Sequence, residues 1–463
     1  MLWTWILRLK EVLGVDKAIA YTVLSRVLVI LGNFVTVLLM VRFLSPVEQG
    51  YYFTLLSLVA LQVVFELGFS FVILQLAAHE RAHLILYPDG RIEGEEPALS
   101  RLASVLQLTV KWYSRAAALL AIILIPSGIY FFEKNEQHNG AVHWLYPWLL
   151  AALACVAIFL QDPICAFLEG CGEVRQIAGL RVCQAIGNAA FAWTAMLSHH
   201  GLFAPAGTMV ASGIIGGVFI WRRRNFLLGL LRFRASEHVV SWRVEIWPFQ
   251  WRIAVSWLCA YFTRQIFTPI LFHYRGPVEA GQMGMSISVV GYFSAIILAW
   301  MTTKAPTFGG FVARRELSEL DALFKRTLWQ AMSFFLVISC ASWVAVDVLF
   351  HLLPKLAVRI VSPFDFAFLL IGTAGSVLAQ SLAIYMRSFK REPFLWQSVS
   401  VAALTLLMCR IMAPGMGNMG VAISYLMCTG IVGAISAWLI FHFWRQTISR
   451  TLLRSSCCEE TGE

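Results

Sequence analysis

The sequence predicts an all-α polytopic membrane protein with about twelve transmembrane helices in two pseudo-symmetric six-helix lobes. The chain is 59% hydrophobic and 13% charged, with a mean hydropathy of +0.72, which lies outside the range of soluble globular domains. Apolar runs of about 18 residues or more, long enough to cross the hydrocarbon core of a bilayer, recur along the whole chain. Two nearly identical pentapeptides, PVEQG and PVEAG, follow the first and the seventh of these runs.

The apolar runs define the predicted spans. They lie near residues 22–44, 51–74, 112–132, 145–168, 179–198, 204–221, 250–273, 283–303, 328–351, 365–386, 394–413 and 419–443. The segment before the first run, MLWTWILRLKEVLGVDKA, mixes Trp and Leu with basic residues and has no small-residue cleavage site. It is therefore interpreted as an amphipathic helix on the membrane surface, with an unstructured tail as the alternative.

The net charge of +10 has a topological explanation. When the N-terminus is placed in the cytoplasm, most of the 36 Lys and Arg residues fall in the connections on that same side. This asymmetry is the positive-inside pattern of membrane proteins. The charge therefore does not indicate a nucleic-acid partner, and both termini are predicted to be cytoplasmic.

The spans and the charge distribution together give the predicted domain organisation. It comprises an interfacial segment at 1–21, an N-lobe at 22–221, a basic cytoplasmic linker at 222–249, a C-lobe at 250–443 and a cytoplasmic tail at 444–463. The linker contains three consecutive arginines and the Trp-rich stretch SWRVEIWPFQW. We expect it to rest partly on the anionic inner leaflet.

The two pentapeptides are interpreted as copies of one outer turn that follows the first helix of each lobe. The residues they share are Pro46, Glu48 and Gly50 in the first copy and Pro277, Glu279 and Gly281 in the second. Duplication explains the matching positions, and convergence on a Pro-Gly turn is the alternative. An even number of helices per copy makes the lobes parallel repeats, an architecture typical of transporters with a site between the lobes.

Basic residues inside spans are the first candidates for function, because burying Arg at a helix centre costs about 2.5–3.5 kcal/mol. Arg264 lies near the middle of the seventh span, and Arg26 lies in the first turns of the first. Aligned on the paired prolines, Arg264 corresponds to Asn33, which shares a helix face with Arg26. We expect Arg26, Asn33 and Arg264 to face one another across the lobe interface, in a ladder that suits an anion.

Each of these basic residues also has a structural interpretation. Arg26 could instead extend to the inner surface, and Arg264 could pair with a carboxylate. Lys304, at the inner end of the eighth span, either meets substrate at the cytoplasmic mouth or anchors the helix by its charge.

Two carboxylates inside spans are candidate proton or coupling-ion sites. Glu66 lies in the second span, and Asp162 lies in the fourth, directly before Pro163. A carboxylate at membrane depth can take up a proton or a cation during transport. The alternative is a structural ion pair with an arginine of the same lobe. The chain has no phosphate-binding loop, no zinc-ligand spacing and no nucleophile elbow, so neither an enzyme, nor a metal site, nor a cofactor is predicted.

Several blocks of the sequence resemble a known family. The stretch VRFLSPVEQGYYFTLLSLVALQVVFELGFS resembles the first two helices of bacterial polysaccharide flippases. Further blocks, EIWPFQWRIAVSW, GPVEAGQMGMS, AWMTTKAPTFG and YMRSFKREPFLW, resemble the lipopolysaccharide (O-antigen type) members. These flippases belong to the multidrug/oligosaccharidyl-lipid/polysaccharide (MOP) exporter superfamily.

The resemblance implies a V-shaped pair of lobes around a cationic cavity, in the plasma (inner) membrane of a bacterium. It implies the flipping of a polyprenyl-diphosphate-linked oligosaccharide, a lipopolysaccharide or exopolysaccharide repeat unit, from the cytoplasmic to the outer leaflet by alternating access. Coupling to H⁺ or Na⁺ is implied as well. Membrane lipids, the polysaccharide polymerase and the export machinery are the implied partners. The alternatives are a cation-coupled multidrug exporter of the same superfamily and a membrane enzyme or scaffold of polysaccharide assembly.

Overall fold

The computed structural model describes residues 17–86, 92–135, 142–233, 240–389 and 393–460. These residues are almost entirely helical and form two compact units, Met1–Leu258 and Cys259–Glu463. Within the described residues, nine helical segments are long and apolar enough to cross a membrane, which makes the chain a multi-pass membrane protein. The predicted segment 1–21 lies largely outside the described residues.

The described helices follow the order of the predicted apolar runs. The nine segments cover ten runs, because the last of them, Leu395–Thr447, spans two. The fifth run forms a more polar helix, Val174–Leu197. The seventh run is broken into the helices Trp247–Arg264 and Phe267–Arg275.

The first unit contains nine α-helices and the start of a tenth among its described residues. They are α1 (Lys17–Phe43), α2 (Pro46–Val59), α3 (Val63–Glu66), α4 (Phe69–Arg81), α5 (Glu96–Asn135), α6 (Leu145–Gly170), α7 (Val174–Leu197), α8 (Ala204–Arg222), α9 (Arg224–Arg232) and α10 (Trp247–Arg264). A short antiparallel hairpin, β1 (Leu84–Leu86) and β2 (Ile92–Gly94), joins α4 to α5. The all-helical prediction did not include this hairpin.

The second unit continues from the end of α10. Its helices are α11 (Phe267–Arg275), α12 (Pro277–Thr303), α13 (Ala305–Ala313), α14 (Leu317–Leu352), α15 (Pro354–Ala357), α16 (Pro363–Ser388), α17 (Leu395–Tyr425) and α18 (Gly433–Glu460). A π-helical turn, Leu426–Val432, joins α17 to α18. The core of the second unit includes Phe308, Phe324 and Tyr385, which are buried against one another.

The paired motifs begin helices rather than forming turns, which corrects the sequence prediction. Pro46 and Pro277 each occupy the first turn of a helix, α2 and α12. Proline suits this position because its fixed φ is helical and its missing N–H has no intrahelical acceptor there. The residues that turn the chain are therefore those just before each motif. Gly50 and Gly281 are buried inside the two helices.

The glutamates of the two motifs have different partners. Glu48 forms a capping box with Ser45, since its carboxylate accepts from the Ser45 N–H at 2.7 Å while the Ser45 hydroxyl accepts from the Glu48 N–H at 3.1 Å. Glu279 instead accepts from Arg275 Nε and from the Asn418 N–H, both at 3.1 Å. It thereby fastens the start of α12 to a kink in α17, where Gly417 adopts a φ of 56°.

The basic region that follows α8 packs on the first unit. In α9, Leu227 and Leu230 are buried. Gln107 of α5 donates to the Phe233 carbonyl at 2.8 Å, which satisfies an acceptor just beyond the end of α9. These contacts attach part of the predicted linker to α5, an arrangement that its basic, Trp-rich composition did not predict.

Candidate functional site

Glu66 lies at a break in the second span. It is the last residue of α3, and the next two residues, Leu67 and Gly68, both have a left-handed backbone with φ of 52° and 67°. The chain then restarts as α4. A helix interrupted at membrane depth is tolerated where it faces protein or a polar cavity, since lipid cannot satisfy the released backbone groups.

Glu66 and Asp162 share one cavity of about 350 Å³ in the first unit. The break positions Glu66, and the middle of α6 supplies Asp162. Other polar groups on the cavity wall are Ser70, Glu169, Arg181 and Gln184. The Ser70 side chain lies beside the Glu66 carboxyl, and its hydroxyl meets the Tyr113 hydroxyl at 3.2 Å. The sequence predicted both carboxylates as candidates, and the fold brings them together.

The arginine on the cavity wall pairs with a third carboxylate of the same wall, Glu169. Arg181 Nη2 donates to Glu169 Oε2 at 2.8 Å. Among the described residues, no Lys or Arg side chain lies within 4.0 Å of the Glu66 or Asp162 carboxylates. The alternative of a direct structural ion pair therefore does not hold in this conformation. Two carboxylates without a direct cationic partner in one cavity create a position at which a proton or a small cation stabilises the site.

The cavity volume limits what this site can hold. A volume of about 350 Å³ lies at the lower end of the range for small-molecule sites. The carboxylates, the Ser70 hydroxyl and the Gln184 amide are oxygen ligands of the kind that hard cations prefer.

Arg264 lies at a second break, in the second unit. It is the last residue of α10, and α11 begins at Phe267 without a side-chain cap. The negative end of the α10 dipole favours the guanidinium at this position. No side chain caps the start of α11, whose first residues Phe267 and Thr268 are buried and whose third residue, Pro269, has no N–H. The sequence predicted Arg264 near the middle of one continuous span, whereas the structure places it at the end of α10, before the break.

The described partner of Arg264 is neutral. Its Nη2 donates to Gln380 Oε1 at 3.0 Å, and Gln380 in turn donates to the Ser376 hydroxyl at 3.1 Å. Tyr425, whose hydroxyl meets Thr373 Oγ1 at 3.0 Å, is close enough to interact electrostatically with Arg264. No carboxylate of the described residues lies within 4.0 Å of this guanidinium, so the alternative of a structural ion pair is not present. The side chain is exposed and available to an anion.

The other predicted pathway residues lie in different elements. Arg26 is exposed and Asn33 is half-buried, both on the continuous helix α1 of the first unit. Lys304 is half-buried at the junction between α12 and α13. The ladder of Arg26, Asn33 and Arg264 joins residues of two units, and it stays a prediction.

Sequence reasoning missed the neutral partner Gln380 and the wall residues Arg181 and Gln184. A polar residue within an apolar run was a usable signal for Gln380, since amides are costly in lipid unless they are paired. No local signal could have identified Arg181, because its place on the cavity wall depends on how α7 packs beside α6.

The comparisons with known proteins concern the fold. No protein-family profile matches the sequence, and no curated protein matches it either. An inward-facing multidrug resistance MATE family transporter of the MOP superfamily has a TM-score of 0.55 at 12% identity, covering 87% of this chain and 94% of its own. An outward-facing MATE family transporter has a TM-score of 0.53 at 13% identity, with coverage of 94% and 98%.

A third similar structure is distinguished by the polarity of its binding pocket. It is a MOP superfamily transporter from Pyrococcus furiosus Vc1, for which a binding pocket of reverse polarity is taken to indicate a different function. Its TM-score is 0.53 at 13% identity, and the similarity covers 94% of this chain and 96% of that one. The chain therefore has the all-α polytopic fold of MOP superfamily transporters.

Proposed function

We propose that this protein is a MOP-superfamily flippase that moves a polyprenyl-diphosphate-linked oligosaccharide across the plasma membrane, from the cytoplasmic to the outer leaflet. The observation that carries the proposal is Arg264, an exposed cation at a helix break in a membrane span, with a neutral described partner at 3.0 Å. The fold of MOP transporters and the resemblance of several sequence blocks to O-antigen-type flippases support the same class.

The chemistry of a diphosphate fits this position. A guanidinium is charged at all physiological pH values and offers paired donors to phosphate oxygens. Outward movement of two negative charges is favoured by about 4.6 kcal/mol when the full field of a 100 mV inside-negative potential is crossed. Arg26, Asn33 and Lys304 extend the proposed pathway for the anionic head group.

The cavity of Glu66 and Asp162 is the proposed coupling site for H⁺ or Na⁺. Its carboxylate and hydroxyl oxygens are of the kind that hard cations prefer. In this scheme both termini are cytoplasmic, the protein needs no cofactor, and its partners are membrane lipids and the polymerase and export machinery of the same polysaccharide.

The decisive experiment replaces Arg264 with Ala and, separately, with Lys in a host that lacks its own copy. Surface polysaccharide and lipid-linked precursor are quantified at matched membrane protein levels. We expect the Ala variant to lose surface polymer and to accumulate precursor, with partial rescue by Lys. Arg410→Ala is the matched control, because this exposed arginine of the same unit donates to the Tyr274 hydroxyl at 2.8 Å. Normal export by Arg264→Ala would overturn the cationic pathway and leave a scaffold of polysaccharide assembly as the alternative.

A second candidate function is a cation-coupled multidrug exporter. The carboxylates of the Glu66–Asp162 cavity favour it, since they could attract a cationic drug. Efflux of cationic dyes from cells that express the protein tests this alternative. Dye efflux that is lost in Asp162→Asn and unchanged in Arg264→Ala would favour the drug exporter over the flippase.

A further inference from the structure

The described chain resumes after α9 at Val240 and enters α10 through an unusual turn. Residues 242–246 form a π-helical turn, Trp242–Ile246, directly before α10. Such turns are rare and occur often at functional positions. We call residues 240–246 the strap. Its start is attached to α5, because the Val240 N–H donates to the Ser104 hydroxyl at 3.1 Å.

Aromatic contacts hold the strap against the first unit. The Trp242 ring stacks on Trp112 of α5, with a centroid distance of 4.8 Å and an interplanar angle of 28°. It also meets Phe69 of α4 edge-on at 4.9 Å. The strap therefore bridges two helices of the unit.

One arginine connects the strap to the same two helices. Arg101 Nε donates to Glu80 Oε1 at 2.8 Å, and its Nη2 donates to Glu245 Oε2 at 2.6 Å. The Glu80 side chain is 5% exposed, whereas the Glu245 side chain is 30% exposed. If Glu245 moves away from Arg101, the guanidinium still neutralises the buried Glu80. The bond to the strap can therefore open without leaving an unpaired buried charge.

The docked strap also leaves polar groups unsatisfied. Gln250 is 1% exposed, and neither atom of its amide has a hydrogen-bond partner among the described residues. The buried Trp112 indole N–H also has no hydrogen-bond partner among the described residues. Buried polar groups without partners destabilise the state that buries them. Release of the strap would let both groups form hydrogen bonds with water. Their hydration therefore lowers the free energy of the released state relative to the docked state.

We propose that the strap is a releasable latch, docked on the first unit in this conformation through Trp242 and Glu245 and released during the transport cycle. Arg101 is its fixed anchor, and the unpaired Gln250 amide keeps the docked state from becoming permanent. The strap leads directly into α10, the helix that ends at Arg264, so its release frees the start of that helix. Only the role in the cycle rests on the proposed transport function; the docking equilibrium does not.

Hydrogen exchange of the full-length protein in nanodiscs tests the docking equilibrium. Glu245→Gln removes the charge from the exposed partner and should speed the exchange of the 240–246 amides by several-fold, with little change in α5 or α6. Gln250→Leu removes the unpaired amide and should slow the exchange of the same segment. Glu316→Gln is the matched control, because it removes an exposed partner of Arg314 at 2.9 Å in the other unit. It should leave the strap unchanged.

The outcomes separate a latch from a static contact. Unchanged strap exchange in Glu245→Gln, or acceleration spread evenly over the first unit, would overturn the proposal. So would unchanged or faster strap exchange in Gln250→Leu. If Glu245→Gln gives too little folded protein, Glu245→Asp keeps the charge on a shorter side chain and should give a smaller acceleration of the same segment.

The role in the cycle is tested by export. Gln250→Leu holds the strap docked and should reduce export at a normal protein level, although Arg264 and the acidic cavity are untouched. Slower strap exchange with normal export would overturn the role in transport. That result would leave the flippase proposal intact, since the proposal stands or falls with the Arg264 variants.

Discussion

The guanidinium of Arg264 donates to the side-chain oxygen of Gln380 at 3.0 Å. This pairing gives the exposed arginine a hydrogen bond without neutralising its charge. An amide partner can be displaced by a phosphate, whereas a carboxylate partner would compete with it. Gln380 therefore holds the arginine side chain and leaves its charge unneutralised.

The first prediction follows from the neutrality of this partner. Gln380→Glu is nearly isosteric, but it places a carboxylate on Arg264 and so neutralises the proposed anion site. We expect export to fall by at least about tenfold, equivalent to ~1.4 kcal/mol of lost anion binding. Gln380→Leu loses the orienting bond but keeps the positive charge, so its effect should be smaller. Precursor accumulation in cells measures both, and an equal effect of the two variants would contradict the electrostatic explanation.

The second prediction concerns the cavity of the first unit. Asp162→Asn and Glu66→Gln each remove one of the two carboxylates that lack a direct cationic partner. Gradient-driven transport in proteoliposomes should fall by about tenfold or more in either variant, because the site loses much of its affinity for the coupling ion. Binding of the lipid-linked substrate should persist.

Glu173→Gln is the control for the cavity variants. Glu173 pairs with Arg223 at 2.9 Å and does not line the cavity. If Glu173→Gln impairs coupling as strongly as Asp162→Asn, the loss of coupling is caused by the changed net charge of the unit and not by the cavity.

The third prediction concerns the kink in α17. Gly417 has a φ of 56°, and a Cβ at this position would overlap the Glu279 carboxylate. Gly417→Ala should therefore lower the free energy of unfolding by about 1–3 kcal/mol, measured as a lower Tm in detergent. Gly415→Ala lies in the same helix with open space around it and should be neutral or stabilising by up to about 1 kcal/mol. A Gly417→Ala variant as stable as the wild type would contradict this account of the kink.

The fourth prediction is the pH dependence of the strap. The Arg101 guanidinium and, secondarily, the Ser241 N–H hold the pKa of Glu245 below its ordinary value. A group with a depressed pKa in the folded state stabilises that state above its ordinary pKa, and the contribution is lost as pH falls through the lowered value. Strap exchange, corrected for the intrinsic rate, should stay constant from neutral pH down to the ordinary glutamate pKa, begin to rise there, and complete its rise as pH falls through the lowered value.

The neighbouring titratable groups determine the design of that measurement. Besides Arg101 and Glu80, His79 lies 3.6 Å from the Glu80 carboxylate. The pH series is therefore made in a His79→Gln background, which removes the imidazole from its contact with Glu80. A rise in strap exchange at pH 6 to 7 in that background would contradict the role of Glu245.

Much of the fold follows from hydropathy. The apolar runs correspond in order to the described helices, and the repeated Pro-Val-Glu motifs lie at equivalent helix starts in the two units. The interruptions were harder to predict. The left-handed pair Leu67–Gly68 and the break after Arg264 leave the apolar character of their spans unchanged. Hydropathy therefore cannot reveal them, and they depend on what packs against them.

The sequence by itself determined that the chain crosses a membrane many times, where its helices lie, and that Arg264, Glu66 and Asp162 are the unusual charges within them. These properties are local, since the cost of placing a residue in lipid depends mainly on that residue and its near neighbours in the helix. Only the tertiary structure decided that Glu66 shares a cavity with Asp162, that Arg264 meets Gln380, and that Arg101 joins Glu80 to Glu245. Each of these pairings joins residues far apart in the chain. They depend on how the helices pack, which hydropathy along the chain does not encode.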